Sequence, residues 1–305
     1  MNFTVKEKQA GIRLDKFLTE QLGKSRNRIQ KIIKAGLVSV DGKVASANYP
    51  IKTGELLILK EAVAEKKINT KIAPVNYEII AETANYLVIN KPVGLLMHGA
   101  PDLKETNLAD LLAIKYPSLS KVGEDPYRPG IVHRIDKDVS GLVLVAKTQE
   151  FFDAAKIQFI NHSIKKSYTA LAHGRISADQ GLIDFPIERA AAGHKMAARP
   201  KGADGRRAIS EFVVLKKFNH FTLVKVTIKT GRTHQIRAHF SAYGHPLVGD
   251  NLYGNKTAKN VNKKLATARI YLVADELSFT DLAGKRKNFK LELPVDFDNI
   301  FKRIK

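Results

Sequence analysis

The stretch PGIVHRIDKDVSGLVLVAKT, residues 129–148, places reactive side chains directly before a strongly apolar run. It begins with a Pro-Gly turn, and its apolar part, residues 142–146, is typical of a strand buried on both faces. Loops held by a rigid scaffold often carry catalytic residues. The pattern alone therefore indicates either an active-site loop or a charged surface turn. The side chains concerned are His133, Arg134, Asp136, Lys137, Asp138 and Ser140.

The composition indicates a large core and a polyanionic partner. The chain has 305 residues, of which 44% are hydrophobic, and this suits two domains or one domain with a small appendage. The formal net charge is +21 and is spread along the chain. A charge of this size predicts binding to nucleic acid or to an anionic membrane surface.

The absence of cysteine and of long apolar runs narrows these options. Without cysteine the chain has no disulfide, no thiolate zinc site and no cysteine nucleophile. The first residues lack the apolar core of a signal peptide, and no apolar run approaches the ~20 residues that span a bilayer. We therefore expect a cytoplasmic protein whose polyanionic partner is nucleic acid, with no membrane association.

The first 60 residues predict a small α/β unit. A helix over residues 13–22 is expected, and a second helix should follow Ser25, a good N-cap. Short strand signals follow at residues 37–40, at Val44 after an Asp41-Gly42 turn, and at residues 56–59. The polar side of the second helix is either a solvated surface or a phosphate-binding face. Its cations are Arg26, Arg28, Lys31 and Lys34.

Residues 11–59 resemble the S-four-type RNA-binding domain, which is named after a ribosomal protein. The resemblance covers about 50 residues in order and spacing. It implies an RNA ligand, but it does not indicate what chemistry follows. The next residues, 61–73, are charged and weakly periodic, so we interpret them as a linker between domain 1–60 and domain 74–305.

The second domain shows alternating strand and helix signals. A helix capped by Thr106 and a helix over residues 149–160 are predicted, together with a strand over residues 165–172. A hairpin is expected over residues 209–229, and late strands at 277–280 and 291–294.

Residues 230–240 predict a strand-to-helix junction. Gly231 allows the turn, and Thr233 can cap the helix. Cations beside the backbone N–H groups of a helix start form an anion site, which makes Arg232 a candidate RNA contact.

The central motif resembles the catalytic signature His-Arg-Leu-Asp-x-x-Thr-Ser-Gly of the large-subunit ribosomal RNA pseudouridine synthases. The matching residues are HRID at 133–136, followed by Ser140 and Gly141. Ile135 replaces Leu, and Val139 replaces Thr and removes its hydroxyl. Three further stretches also resemble this family: NKPVG at 90–94, KSYTA at 166–170 and residues 230–254.

The resemblance implies a fold and a set of site residues. The fold is α+β, a small RNA-binding domain followed by a catalytic domain whose mixed, largely antiparallel sheet is flanked by helices. Asp136 is then the catalytic residue, Arg237 its ion-pair partner, Tyr168 the tyrosine against the base, Ile236 the apolar residue under the nucleotide, and Arg134 the side chain that fills the gap left by the base. Further RNA contacts are expected from His133, Lys91 and Arg232.

The implied reaction requires no cofactor and no metal. It breaks the bond from uracil nitrogen to ribose, rotates the base and rejoins it through carbon. A carboxylate of the aspartate type is ionised at neutral pH and can attack an electron-poor sugar carbon. The target is expected in large-subunit rRNA, with transfer RNA as an alternative, and the protein is expected to be a monomer.

Other functions fit the sequence less well. A metal-dependent hydrolase would use His133, Asp136, His234 and His239, but the last two are five residues apart, unlike the i, i+4 pair of a zinc helix. A non-catalytic RNA-binding or assembly factor is also possible, but phosphate binding alone gives no reason for a carboxylate among the cations of the motif. A methyltransferase is disfavoured because no Gly-x-Gly loop joins a strand to a helix.

Overall fold

The computed structural model describes residues 1–23, 26–60, 75–100, 105–190, 193, 195–199 and 205–304. The chain divides into two compact units, Met1–Ile68 with Gly123–Pro129, and Asn69–Val122 with Gly130–Lys305. The grouping of Gly123–Pro129 with the first unit was not expected from the sequence. The N-cap predicted at Ser25 and the linker predicted at 61–73 lie outside the described residues, so the domain boundaries stay a prediction.

The first unit packs two helices against a four-stranded sheet. Leu14, Phe17 and Leu18 of the first helix and Ile29 and Ile33 of the second are buried, as their helical spacing predicts. The helices are α1 (Leu14–Leu22) and α2 (Arg26–Lys34), and the strands, in sheet order, are β1 (Asn2–Thr4), β4 (Leu56–Leu59), β2 (Val38–Val40) and β3 (Lys43–Val44).

A buried carboxylate joins the two helices of this unit. Asp15 is fully buried and accepts hydrogen bonds from Arg13, Arg26 and Gln30. Burial alone would raise the pKa of Asp15, but the hydrogen bonds from Arg13, Gln30 and Arg26 outweigh it and lower the pKa to about 2. Arg26, predicted as an RNA contact, therefore also fastens the start of α2 to α1.

The second unit is built on one nine-stranded mixed sheet. Two of its strands, β7 (Ser140–Ala146) and β14 (Leu272–Thr280), run parallel to each other, and the other paired strands run antiparallel. This confirms the predicted α+β class. In sheet order the strands are β5 (Glu78–Glu82), β6 (Tyr86–Lys91), β7 (Ser140–Ala146), β14 (Leu272–Thr280), β8 (Lys165–His173), β13 (Phe221–Ile228), β12 (Ile209–Lys217) and β9 (Gln180–Asp184), with β15 (Arg286–Lys290) also beside β14.

Residues on the central strands alternate between two buried faces. On β8, Tyr168 and Ala170 belong to the large core, whereas Leu171 packs with Phe297 on the opposite face. Phe151 of the predicted helix 149–160 also enters the large core. The remaining elements are α3 (Leu108–Lys115), α4 (Gln149–Ile160), β10 (Ile187–Arg189), β11 (Met196–Ala198), α5 (Gln235–Ala242), α6 (Lys256–Lys264) and α7 (Val295–Arg303).

Two local predictions were wrong. Asn107, not Thr106, caps α3, because its side chain accepts from the Asp110 N–H at 3.1 Å and also donates to the Asp110 carboxylate at 2.7 Å. The late strand predicted at 291–294 is instead β15, which ends at Lys290. The alternation of Leu and Glu there was compatible with a strand, but β14 finds its partner one segment earlier.

Gly141 allows the close approach of β7 to β14. Its φ is +124°, and a Cβ at this position would lie 2.2 Å from the Ala274 carbonyl oxygen. The parallel register pairs Gly141 with Ala274. A side chain at this position would separate the two strands directly after the HRID loop.

We predict that Gly141→Ala lowers the free energy of unfolding by more than ~3 kcal/mol, through steric overlap and an unfavourable φ. The matched control is Gly284→Ala, where φ is +76° but no atom lies within 4 Å of the added Cβ, so only about 1 kcal/mol is expected. Urea denaturation of both variants measures the difference. Equal losses would contradict the steric explanation.

Candidate active site

The loop that carries Asp136 is held by a tight turn. The Val139 N–H donates to the Asp136 carbonyl oxygen at 3.2 Å. Val139 is 2% exposed and packs in the large core, so apolar contact takes the place of the hydroxyl found in the family signature. The side chain of Asp136 stays 16% exposed and lines a cleft.

Lys91 holds this loop from beneath. It is fully buried, and its ammonium donates to the carbonyl oxygens of Pro92 and Leu95 at 2.8 Å and of Lys137 at 3.2 Å. The Gly94 N–H also donates to the Lys137 oxygen, at 2.9 Å. The prediction that Lys91 contacts RNA is corrected, because no part of it reaches the surface. Its role is to fix the backbone next to Asp136.

Arg237 lies opposite Asp136, and the predicted ion pair is present. The guanidinium is buried, and its Nη1 donates to Asp136 Oδ2 at 3.2 Å. Its other edge makes two bonds to Asp250, from Nε at 2.7 Å and from Nη2 at 3.0 Å. Burial alone would lower the pKa of Arg237, but the hydrogen bonds and charge of Asp250, with Asp136, raise it above its ordinary value.

Asp250 is a site residue that the sequence analysis did not select. It is fully buried, and its Oδ1 also accepts from the N–H groups of Leu252 and Tyr253 at 3.0 Å. Its place in the HPLVGD run resembled the family, but no spacing rule connects it to a residue 13 positions earlier. The aspartate that ends this run, followed by Tyr253-Gly254, was the available signal.

The start of α5 differs from the prediction. Thr233 does not cap the helix; His234 is the N-cap, with a left-handed φ of 53° and no side-chain cap bond. The Gln235 side chain closes the turn instead, accepting from the Arg232 N–H at 3.0 Å and from the Thr230 hydroxyl at 2.8 Å. A non-glycine residue in this conformation costs energy and is often found at functional sites.

His234 lies beside the carboxylate of Asp136. Its Nε2 is 3.9 Å from Asp136 Oδ2, and its Nδ1 is 3.0 Å from the Tyr253 hydroxyl. Burial lowers the pKa of His234, although the charge of Asp136 acts in the opposite direction. The imidazole is therefore neutral at neutral pH, and Arg237 supplies the positive charge next to Asp136.

The cleft has a volume of about 470 Å³ and brings the predicted base-binding residues together. Tyr168 is 6% exposed and Ile236 is 5% exposed, and both line the cleft with Asp136. Burial and the charge of Asp136 raise the pKa of Tyr168, so its hydroxyl stays protonated. Arg134 is exposed at the cleft, and Arg232 is half-buried there and donates to the Arg207 carbonyl oxygen at 3.1 Å.

His133 supports the loop that carries Asp136. Its Nε2 accepts from the Leu144 N–H at 2.8 Å, and its ring packs on Phe159 with centroids 5.0 Å apart. Burial, with the charge of Lys166, lowers the pKa of His133, so it is neutral. These contacts tie the HRID loop to β7, and because His133 is half-buried and lines the cleft, its contact with RNA stays a prediction.

The predicted cations of α2 lie in the first unit. Lys34 is exposed, and Arg28 is half-buried. Lys31 is exposed and forms an ion pair with Asp125, 3.4 Å away in the segment grouped with that unit.

Comparisons with known proteins agree with this site. The sequence model for RNA pseudouridylate synthase matches residues 85–242, and that for the S4 domain matches residues 12–57. The chain is 35% identical, over 100% of its length and 98% of the relative, to the uncharacterized RNA pseudouridine synthase YlyB of Bacillus subtilis. It is 33% identical to ribosomal large subunit pseudouridine synthase D of Zymomonas mobilis, covering 99% of this chain and 96% of that one.

The chain belongs to the RNA pseudouridylate synthase family. It is therefore an isomerase that acts on RNA and converts uridine to pseudouridine. The solved structure named Human RNA Pseudouridylate Synthase Domain Containing 1 shares the fold, with a TM-score of 0.59 at 23% identity over 76% of this chain and 97% of that chain.

The described residues give no support to the metal-dependent hydrolase considered as an alternative. Within the described ranges, no three His, Asp or Glu side chains are arranged to hold a metal ion. His239 is fully buried and engaged with the Ser210 hydroxyl at 3.0 Å and the Phe185 carbonyl oxygen at 2.9 Å.

None of the helices in the described part of the chain has the length and apolar character to cross a membrane.

We predict that Asp250→Asn reduces turnover by roughly 100-fold while RNA binding is retained, because loss of the bidentate bond lets Arg237 shift relative to Asp136. Single-turnover rates and fluorescence-anisotropy titrations measure the two quantities separately. The control is Asp281→Asn, which removes a carboxylate paired with Lys287 at 3.1 Å outside the cleft. Unchanged turnover in Asp250→Asn would show that Arg237 needs no second anchor.

Proposed function

We propose that the protein isomerises specific uridines of 23S, large-subunit rRNA, with Asp136 as nucleophile and without a cofactor. The observation that carries this proposal is the partly exposed Asp136 carboxylate, held by Arg237 at 3.2 Å inside a cleft. The name of the Zymomonas relative supports the rRNA target. We further propose that the protein acts as a monomer in the cytoplasm.

The reaction proceeds by transfer of the ribose between two atoms of uracil. The Asp136 carboxylate attacks C1′ as the bond from C1′ to N1 breaks, and the electron pair of that bond leaves with uracil. The detached ring turns and forms a bond from C5 to C1′ as the ester bond between Asp136 and C1′ breaks, and the electron pair of that ester bond returns to the carboxylate. The hydrogen at C5 departs as a proton and N1 takes up a proton, so the product is an isomer of the substrate.

The cleft residues place the base for this rotation. Tyr168 and Ile236 offer an aromatic and an aliphatic surface in the cleft, and they bind the ring without fixing its rotation. A base that reacts in such a cleft must leave its stack. Arg134, exposed at the cleft, fills the gap that the base leaves.

The first unit contributes affinity through phosphate contacts. Arg28, Lys31 and Lys34 occupy one helix of an S4 domain, and none of them belongs to the catalytic unit. Arg26 contributes less, because Asp15 already holds its guanidinium. Cations of this kind give binding without sequence readout and with strong salt dependence.

We predict that Asp136→Asn abolishes isomerisation because it keeps the shape of the side chain and removes its charge. RNA tritiated at carbon five of uridine should release no tritium to water with this variant. Pseudouridine mapping of rRNA and tRNA from cells carrying the variant should lack the sites restored by the wild type. The Asp281→Asn variant serves as the folded control.

Three outcomes would change the proposal. Tritium release near the wild-type rate would remove Asp136 from the chemistry. Restored sites in tRNA instead of 23S rRNA would move the target. Identical maps with and without the wild type would show that the protein is not acting as an isomerase on either RNA.

We predict that replacing Arg28, Lys31 and Lys34 by Ala weakens rRNA binding and flattens its salt dependence by about 0.7 in log–log slope per lost phosphate contact. Titrations at several salt concentrations measure the slope. The control replaces the exposed Lys6, Lys8 and Lys52 of the same unit, which changes net charge equally. Equal salt-dependence slopes for the two triple variants would show that the cations of α2 form only a solvated surface.

A further inference from the structure

Lys166 lies in the cleft without a role in the chemistry described above. It is two residues before Tyr168 on β8, and alternation along a strand puts both side chains on the same face of the sheet. Both residues line the cleft. The sequence analysis quoted Lys166 within a motif but assigned it no task.

The ammonium of Lys166 lies near an aromatic ring, and none of the described acidic side chains pairs with it. It lies 5.0 Å from the centroid of the Phe159 ring. Burial lowers its pKa to about 8, and within the described residues no acidic side chain counteracts that effect. Lys229, another cleft cation, is different because Glu211 lies 3.0 Å from its ammonium.

The charges of the cleft indicate which anionic group of the substrate can pair with Lys166. Asp136 is the only acidic side chain among the described residues of the lining, and Arg237 already engages it. Lys166 is half-buried, and an ammonium that is partly withdrawn from water is stabilised by a nearby anion. RNA carries its negative charge on phosphate groups, whereas the carbonyl oxygens of uracil are neutral and would leave the charge of Lys166 uncompensated.

We propose that Lys166 binds a backbone phosphate group adjacent to the uridine that reacts at Asp136. This inference rests on the proposed function, since it requires the target nucleotide in this cleft. The contact would hold the RNA strand while the uracil ring is detached and turning. Lys166 is thus a binding residue for the sugar-phosphate part of the substrate.

Gly231 keeps the approach to this ammonium open. A Cβ built on Gly231 would lie 3.5 Å from Lys166 Nζ, so any side chain there would occupy the space beside the ammonium. Its φ is not in the left-handed region, so the backbone conformation does not require glycine. The absence of a side chain is therefore explained by access to Lys166, which suits a phosphate group.

A chemical double-mutant cycle tests the contact. The probe is a fluorescently labelled RNA of nine nucleotides with one central uridine, together with two versions that carry a neutral methylphosphonate linkage on the 5′ or the 3′ side of that uridine. Binding of each RNA to the wild type and to Lys166→Met is measured by anisotropy at several salt concentrations. The control is Lys290→Met, whose side chain is 77% exposed on β15.

The expected result is non-additivity at one linkage. Lys166→Met should weaken binding of the unmodified RNA roughly 10-fold and flatten the log–log salt slope by about 0.7. One methylphosphonate should weaken wild-type binding by a similar factor and cause little further loss in Lys166→Met. Lys166→Arg, which keeps the charge, should retain the coupling, and Lys290→Met should match the wild type.

Additive losses at both linkages, or unchanged affinity in Lys166→Met, would overturn the proposal. A loss in Lys166→Met that is equal for all three RNAs would point to the uracil instead of the phosphate, and would overturn it too. Isomerisation of 23S rRNA by the wild type is assayed in parallel. Intact coupling without isomerisation would contradict the proposed function and leave the phosphate contact in place.

Discussion

The arrangement of the site depends on one guanidinium between two carboxylates. Arg237 bonds Asp250 through two nitrogens at 2.7 and 3.0 Å and Asp136 through the third at 3.2 Å. The bidentate bond is the tighter of the two and lies wholly in the interior, so it fixes the plane of the guanidinium. The position of Asp136 relative to α5 then follows from that plane.

The backbone on the other side of Asp136 is fixed by steric and polar constraints. Gly141 lets β7 run against β14, which places the end of the HRID loop. Lys91 adds three hydrogen bonds to carbonyl oxygens, one of them that of Lys137, the next residue after Asp136. A loop held at both ends needs little reorganisation when substrate binds, which is how positioned groups lower a barrier.

The sequence predicted the elements well where apolar periodicity is strong, and it failed where single polar bonds decide. The predicted helix 149–160 is α4 with the same bounds, and the run at 142–146 gave β7 with the correct end, although β7 begins two residues earlier, at Ser140. The caps of α3 and α5 were missed because Asn107 caps α3 beside Thr106, which is also a good N-cap residue, and because α5 begins at His234, beside Thr233, without a side-chain cap bond. Local sequence does not record which of two adjacent polar side chains points at the helix.

The sequence predicted which residues form the site better than it predicted what each of them does. Asp136, Tyr168, Ile236 and Arg237 do meet in one cleft, as the family resemblance implied. Lys91 turned out to be buried beneath the loop, and Asp250 was not selected. Burial depends on contacts between strands distant in sequence, so a motif can name a lysine or an aspartate without revealing whether it faces RNA or the core.

The geometry also explains how a paired carboxylate remains able to react. Within the described residues, the contacts of Asp136 with Arg237 and His234 both reach Oδ2. In the proposed reaction Oδ1 is therefore left for the sugar carbon, while the charge that the carboxylate loses and regains stays beside a guanidinium that Asp250 keeps in place. If Asp250 were absent, Arg237 could rotate to bind Asp136 with two nitrogens and occupy the oxygen that has to attack. Asp250 thus keeps Arg237 from occupying both oxygens of the Asp136 carboxylate.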